Sequence, residues 1–299
     1  MRDQTDSADS SLTLKKLSPL LIVYVVWGCT YLAIRIAVRE GSGFPPFILA
    51  ASRYLPAAII LLVASALRRQ RMRPTRQEWV TLILSGVLML GGGNGLVTWS
   101  EQHADSSLAA LLVAAVPIWA MLIEATVTRR RPSAQLVSAI LVGFGGIALL
   151  ALPGMTSGVR ADVLSILALL TAGFSWALGS FLQSRKPVGL DPIVSAGYQM
   201  LTGGLALLAI SLVSGEPRPT PSTEAWLAWL FLMLFGSVIT HTAYIISLKT
   251  LPIQIAVTYT YVNSSGSGIR AGVLRNRKQA PRRSFSSGKL LLGVVLHPL

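Results

Sequence analysis

Apolar residues fall along the chain in blocks of 19 to 24 residues, separated by shorter polar segments. A hydrocarbon core about 30 Å thick needs roughly 20 residues of helix to cross it, so each block predicts one transmembrane helix. Strands of a membrane barrel would instead be alternating segments of about 10 residues. The pattern predicts eight complete spans: Leu17–Val38, Phe44–Leu67, Trp79–Trp99, Leu108–Thr128, Ala134–Leu152, Val163–Gln183, Pro192–Val213 and Ala225–Leu248. A ninth span begins near Ile253.

The pattern of the first half returns in the second half. Pro46–Leu62 matches Pro192–Leu208 at an offset of 146 residues, and Trp79 matches Trp226 at an offset of 147. Five spans precede a polar connector, and because five is odd, the second copy starts from the opposite face of the membrane. We therefore predict an all-α membrane protein of two inverted five-helix repeats, of the ten-helix type. In such proteins the binding site lies between the copies, near the bilayer midplane.

Basic residues alternate between successive loops. Fourteen lysines and arginines lie in the N-terminal segment and the loops on its side of the membrane, against three in the intervening loops. This asymmetry predicts a cytoplasmic N-terminus. It also explains most of the net charge of +14, so nucleic acid is not an expected partner. With 52% hydrophobic and 13% charged residues, the composition is unlike that of soluble domains, in which about 25% of residues are charged.

The repeat fails after Asn263. At the offset of 147, Pro117 corresponds to Ser264, and positions 270 to 289 hold seven basic residues and no acidic one. Charges at that density do not fit a lipid-facing helix. One permitted coding string for Ser264–Arg270 reads Pro-Val-Val-Ala-Val-Phe after a one-base shift. We therefore hypothesise a frameshift in the gene, with a genuine basic cytoplasmic tail as the alternative.

The predicted organisation has five parts. No cleavable signal is expected, because Lys15 and Lys16 precede a span that is too long for a signal-peptide core. A single cysteine, Cys29, excludes an internal disulfide. The five parts of the predicted organisation are a cytoplasmic segment (1–16), a first repeat (17–152), a connector (153–162), an incomplete second repeat (163–263) and an aberrant basic tail (264–299).

Arg53 is the strongest single candidate for function, because it lies tenth in its predicted span of 24 residues. A charge at that depth is by default a candidate functional residue. The alternative is an arginine that bonds helix-end carbonyls or extends its head group to the membrane surface. Its repeat counterpart, Gln199, is uncharged, so the charge belongs to one copy only.

Other polar residues have competing interpretations. His241 could carry a proton or make a neutral helix contact. Glu124 is expected to form an ion pair with Arg129–Arg131. Glu101, His103 and Asp105 could form a gate, although a solvated loop is the favoured interpretation. The segment Gly91–Gly95 is not a phosphate loop, because no strand precedes it; its Gly91 and Gly95 predict close helix approach.

The chain resembles the EamA-type domain of the drug/metabolite transporter superfamily over about residues 17–263. The resemblance rests on Trp27-Gly28, on Pro46 and Arg53, on Thr258–Asn263 (TYTYVN) and on the doubled five-span unit. It implies a ten-helix bacterial inner-membrane exporter of small metabolites, often amino acids or related compounds. The departure after Asn263 predicts that the ninth and tenth helices are disrupted.

We therefore expect a secondary exporter of small amphipathic or amino-acid-like molecules that works by alternating access, with no cofactor, metal or enzymatic activity. Protons or solute exchange would supply the energy. A sugar-phosphate or nucleotide-sugar facilitator, or a non-functional remnant, are the alternatives. The cavity would be lined by the first, third, fourth, sixth and eighth spans. Expected substrate contacts are Trp27, Asn94, Trp176, His241 and Tyr259, with Arg53 and Pro117 in positioning or gating.

Overall fold

The computed structural model describes residues 2–39, 41, 43–104, 106–129, 131–155, 163–186 and 188–261. Over these residues the chain is helical, and no strand occurs among them. Asp105, most of the predicted connector and the predicted basic tail lie outside the described residues. The predicted all-α class is confirmed.

The helices of the first half follow the predicted spans closely. They are α1 (Arg2–Ala37), α2 (Pro46–Leu67), α3 (Arg76–Gly86), a π-helical segment π1 (Val87–Asn94), α4 (Gly95–Ser100), α5 (Ser106–Val113), α6 (Val116–Thr128) and α7 (Ala134–Met155). The helices of the second half are α8 (Val163–Arg185), α9 (Pro192–Ser214), α10 (Thr223–Phe231), π2 (Leu232–Ile239), α11 (Thr240–Thr250) and α12 (Ile253–Ala256).

Seven helical stretches among the described residues are long and apolar enough to cross a membrane. The fifth predicted span, Ala134–Leu152, is not one of these seven but is also helical, within the 22-residue α7. Large apolar side chains point outward along these helices; Leu67 is 81% exposed and Val213 is 90% exposed. An extended apolar surface is unfavourable in water but is favourable in contact with the hydrocarbon of a bilayer. The chain is therefore a multi-pass membrane protein.

The helices α2 and α9, which begin at the repeated Pro46 and Pro192, pack along each other. Gly197 of α9 lies against Leu62, and Gly204, seven residues later, lies against Leu55, seven residues earlier. The two helices are therefore antiparallel, with their N-termini at opposite ends of the bundle.

Both halves contain a π-helical segment of eight residues in the third span of the unit, π1 and π2. In π2 the side chains of Ser237 and Thr240 donate to carbonyls five residues earlier, at 3.0 and 2.7 Å. The wider turn changes which side chains face the neighbouring helices, and π segments are frequent at functional sites. The sequence pattern did not predict them.

The fourth predicted span is interrupted at Ala114–Ala115, between α5 and α6. Pro117 occupies the first turn of α6, where its missing N–H is not needed. A proline also clashes with the carbonyl four residues before it, which here is that of Val113, the last residue of α5. The position of Pro117 thus accounts for the break.

One carboxylate ties the two halves together at each end of the α2–α9 pair. Glu216, after α9, accepts the backbone N–H groups of Phe47 and Ile48 at 2.9 and 2.8 Å. These are free donors in the first turn of α2, because a helix leaves its first N–H groups unpaired. At the other end, Glu78 of α3 accepts the Gly189 N–H at 2.8 Å, in the loop before α9.

Candidate functional site

Helices from both halves enclose a cavity of about 670 Å3, counted out to the solvent at its mouth. The part of this space that admits water-sized spheres is about 60 Å3, which is room for a few water molecules. The lining combines aromatic and small apolar side chains with a few polar ones. The residues are Trp27, Thr30, Tyr31, Ile34, Arg53, Tyr54, Leu90, Gly93, Asn94, Val97, Val113, Val116, Ala172, Gly173, Trp176, Gly236, His241 and Tyr259.

Six of the seven residues singled out from the sequence lie in this lining. The six are Trp27, Arg53, Asn94, Trp176, His241 and Tyr259. Pro117 is not among the lining residues, but it directly follows Val116, which is. The five spans expected around a cavity all contribute, and α2 contributes as well. The assignment of these residues to substrate contact stays a prediction.

Trp27 is the centre of an aromatic cluster. Its ring centroid lies 5.3 Å from Trp176, 5.3 Å from Tyr244 and 4.8 Å from Tyr259. Its indole N–H donates to the Gly236 carbonyl at 3.0 Å, which links α1 to π2. The cluster therefore joins rings from both halves and forms an apolar wall with a few polar edges.

Tyr244 was missed as a site residue. It lies one helical turn after His241, is fully buried, and its hydroxyl is 2.8 Å from Ser180 Oγ and accepts from the Trp176 indole at 3.3 Å. The spacing of three residues from His241 was the available signal, because residues three apart share a helix face.

Arg53 is only 3% exposed, so its head group does not extend to a membrane surface. Its Nη2 donates to the Tyr54 hydroxyl at 2.9 Å and to Asn94 Oδ1 of π1. Both partners are neutral side chains rather than helix-end carbonyls. Its Nε is buried and has no hydrogen-bond partner among the residues that the structure describes. The guanidinium thus lies at the cavity wall with donor capacity to spare.

His241 and Gln199 form the corresponding contact in the second half. His241 Nε2 is 3.1 Å from Gln199 Oε1, and the Gln199 amide donates to Ser85 and Gln183 at 2.7 and 2.9 Å. At the offsets of 146 and 147, Gln199 corresponds to Arg53 and His241 to Asn94. Each half therefore pairs its second helix with the end of its third span, and only the first half does so with a charge.

The glycines of Gly91–Gly95 let α8 approach π1. A Cβ at Gly93 would lie 2.9 Å from the Trp176 ring, and one at Gly92 would lie 2.3 Å from Ser175 Oγ. Of the two glycines predicted to allow close approach, Gly95 does so, since a Cβ there would lie 2.6 Å from Leu207, whereas Gly91 has no atom closer than 3.7 Å. The segment positions an indole against the cavity.

Two predictions about acidic residues need correction. Glu124 pairs with Arg185 of α8, a residue of the other half, at 3.0 Å; among the described residues it forms no ion pair with Arg129 or Arg131, and Arg130 lies outside them. It also accepts a hydrogen bond from Gln254. Glu101 is 4% exposed, so it does not belong to a solvated loop, whereas His103 is exposed. Burial was not predictable for Glu101, because the polar residues around it suggest a loop.

A polytopic helical bundle with a partly polar cavity between its two halves defines the class of membrane transporters. The model of the EamA-like transporter family matches the chain twice, at residues 16–152 and 163–296. The chain belongs to this family, and the resemblance seen in the sequence is confirmed. It is therefore a membrane transporter; the family comprises transporters rather than enzymes.

Similar proteins agree with this assignment. The uncharacterized inner membrane transporter YedA of Escherichia coli strain K12 is 34% identical over 248 residues, covering 82% of this chain and 78% of that protein. Protein PecM of Dickeya dadantii is 27% identical over 220 residues, covering 72% and 69%. One crystal structure aligns with a TM-score of 0.67 at 19% identity, covering 94% of this chain and 95% of the other, which shows the fold alone.

Proposed function

We propose that the protein is a secondary transporter that exports small organic molecules from the cytoplasm by alternating access through the central cavity. The observation that carries the proposal is that Trp27, Arg53 and Asn94 of the first half meet Trp176 and His241 of the second half around one cavity. A site shared by two halves changes its access when one half moves relative to the other.

The packing of α2 on α9 supports the same proposal. Antiparallel contact between repeat counterparts is what an inverted repeat requires. With the N-terminus in the cytoplasm, as the loop charges favour, the N-terminus of α2 lies at the outer face and that of α9 at the inner face. A bacterial inner membrane location follows from the same orientation and from the description of YedA as an inner membrane transporter.

A sugar-phosphate facilitator is less well supported. A dianionic phosphate would need two or more basic side chains at the cavity, and Arg53 is the only lysine or arginine among the described lining residues. The aromatic cluster instead favours a molecule with an apolar body.

Transport is tested with the full chain expressed in a host that lacks its own exporters for the tested dyes and amino acids. Efflux of each compound is compared between cells with the wild-type chain, with a version carrying a frame-corrected end after Asn263, and with the empty vector. We expect at least one version to accelerate efflux. Equal efflux from all three strains for every compound would refute the proposal.

Trp176→Leu and Trp226→Leu supply a matched pair of variants. Trp176 lies in the cavity, whereas Trp226 is half exposed on the outer surface of α10. We expect Trp176→Leu to abolish most transport and Trp226→Leu to retain it at equal protein level. A protonophore separates the two energy sources, because uphill efflux that survives it excludes proton coupling.

A further inference from the structure

The charge of Arg53 is not balanced within the described structure. No carboxylate oxygen in the described part of the chain lies within 4.0 Å of its guanidinium. Its partners Tyr54 and Asn94 are neutral. A charge that is removed from water without a counter-ion is strongly unfavourable. The guanidinium therefore lacks a carboxylate counter-ion among the described residues, and its Nε–H makes no hydrogen bond there.

The missing charge is single rather than double. Asn94 and His241 line the same cavity beside Arg53, and they offer neutral hydrogen-bonding groups. His241 Nδ1 is likewise buried and has no hydrogen-bond partner among the described residues, so a second polar atom of this wall is unsatisfied. One cation with two neutral polar neighbours matches a carboxylate, which carries one charge and two acceptor oxygens.

The remaining wall indicates what the carboxylate is attached to. Trp27, Trp176 and Tyr259 line the cavity, and the centroid of the Trp27 ring lies 5.3 Å from that of Trp176 and 4.8 Å from that of Tyr259. Such rings bury apolar or aromatic groups of a ligand with specific geometry. An inorganic anion would satisfy Arg53 but would leave this wall without a partner.

We propose that the cavity binds a monoanionic amphipathic carboxylate, with its carboxylate against Arg53 and its apolar body against the Trp27–Trp176–Tyr259 wall. This rests on the proposed function for its biological meaning, because it names the substrate class of the transported molecule. Binding itself can be measured without transport.

The test uses the full chain in nanodiscs of zwitterionic phosphatidylcholine and three probes with one skeleton: 4-phenylbutyrate, 4-phenylbutanamide and 4-phenylbutylamine. Calorimetric titration gives the affinity of each probe. We expect the carboxylate to bind about tenfold or more tightly than the amide, as expected for one charge-assisted hydrogen bond, and the amine to bind most weakly. Sodium chloride titrated alone should bind more weakly than the carboxylate, because it leaves the rings uncovered.

Three variants distinguish the loss of the Arg53 charge from a loss of the folded structure. Arg53→Gln introduces the residue that the second half holds at the corresponding position, and it should equalise the affinities of carboxylate and amide. Arg53→Lys should retain the preference in the same direction. Arg73→Gln, which removes an exposed charge outside the cavity, should behave as wild type. Thermal unfolding would reveal a loss of folding in Arg53→Gln. In that case the affinities of the probes for wild type and Arg53→Lys decide whether the carboxylate is preferred.

Three results would overturn the proposal: equal affinity of wild type for carboxylate and amide, a carboxylate preference that persists in folded Arg53→Gln, or no binding of any probe to folded wild type. Equal binding of chloride would overturn the amphipathic part. The two proposals fail separately. Carboxylate-selective binding without efflux would refute transport only, and efflux without carboxylate preference would refute the anion site only.

Discussion

Replacing Glu216 by glutamine tests whether a single carboxylate holds the two halves together at one end of the bundle. The carboxylate accepts Phe47 N–H, Ile48 N–H and Ser211 Oγ–H at 2.9, 2.8 and 2.6 Å. An amide has one acceptor oxygen, so its NH2 group would face one of the two backbone donors. A hydrogen bond to a charged group contributes about 1.5–3 kcal/mol. Because Glu216 is only partly buried and water can replace the lost acceptor, we expect a loss of about 1–2 kcal/mol.

Glu224→Gln is the matched control, since it removes the same charge eight positions further along the chain. Glu224 is 41% exposed and lies 3.6 Å from Arg39, a surface pair whose contribution is about 0–1 kcal/mol. Thermal unfolding in nanodiscs, followed by tryptophan fluorescence, should show a drop of roughly 2–6 °C for Glu216→Gln and almost none for Glu224→Gln. Equal shifts for both variants would show that charge, rather than the bonds to α2, matters.

Three further predictions concern helix packing, the contacts of Glu124 and the coding sequence after Asn263. Gly203→Ala should lower the unfolding temperature, because a Cβ there would lie 2.7 Å from the Gly86 carbonyl oxygen and overpacking costs about 1–3 kcal/mol. Gly91→Ala should leave it unchanged, because no atom lies closer than 3.7 Å to a Cβ at that position. Equal effects of the two variants would contradict the tight α3–α9 crossing. Arg185→Gln should destabilise the end of the bundle that holds Glu124 less than Glu124→Leu does, because the latter removes both the Arg185 and the Gln254 contacts. Protease sensitivity of the α8–α9 loop measures this difference. Sequencing of codons 260–299 should reveal an apolar frame after a one-base shift, and its absence would end the frameshift hypothesis.

Much of the fold was predictable from the sequence because a bilayer leaves few options. Backbone groups in hydrocarbon must be satisfied within the helix, so a block of apolar residues and a span nearly coincide. The repeated prolines Pro46 and Pro192 indeed begin two helices, and Thr75 and Ser222, which lie 147 residues apart, both cap the helices that follow. Repetition of sequence thus predicted repetition of local structure.

The contacts between halves were not predictable in the same way. The π segments have no distinct signal in apolar residues, and Asn94, which accepts a hydrogen bond from Arg53, is the last residue of π1. Glu216 lies in a loop that looks merely polar, and its role depends on the unpaired N–H groups of a helix about 170 residues away in the sequence. Long-range partners of polar residues depend on helix packing, which hydropathy alone does not specify.

Three glutamates tie the two halves together at opposite ends of the bundle, and this arrangement bears on alternating access. Glu216 holds α2 at one end, whereas Glu78 and Glu124 contact the region between α8 and α9 at the other. A movement that opens one end must stretch the ties there while those at the far end can persist. Each tie contributes only about 1–2 kcal/mol, which corresponds to a change of roughly 5- to 30-fold in the ratio of two states. Ties of this strength can bias the direction in which the cavity opens without locking it, because the free energy of a bound substrate is of comparable or greater size.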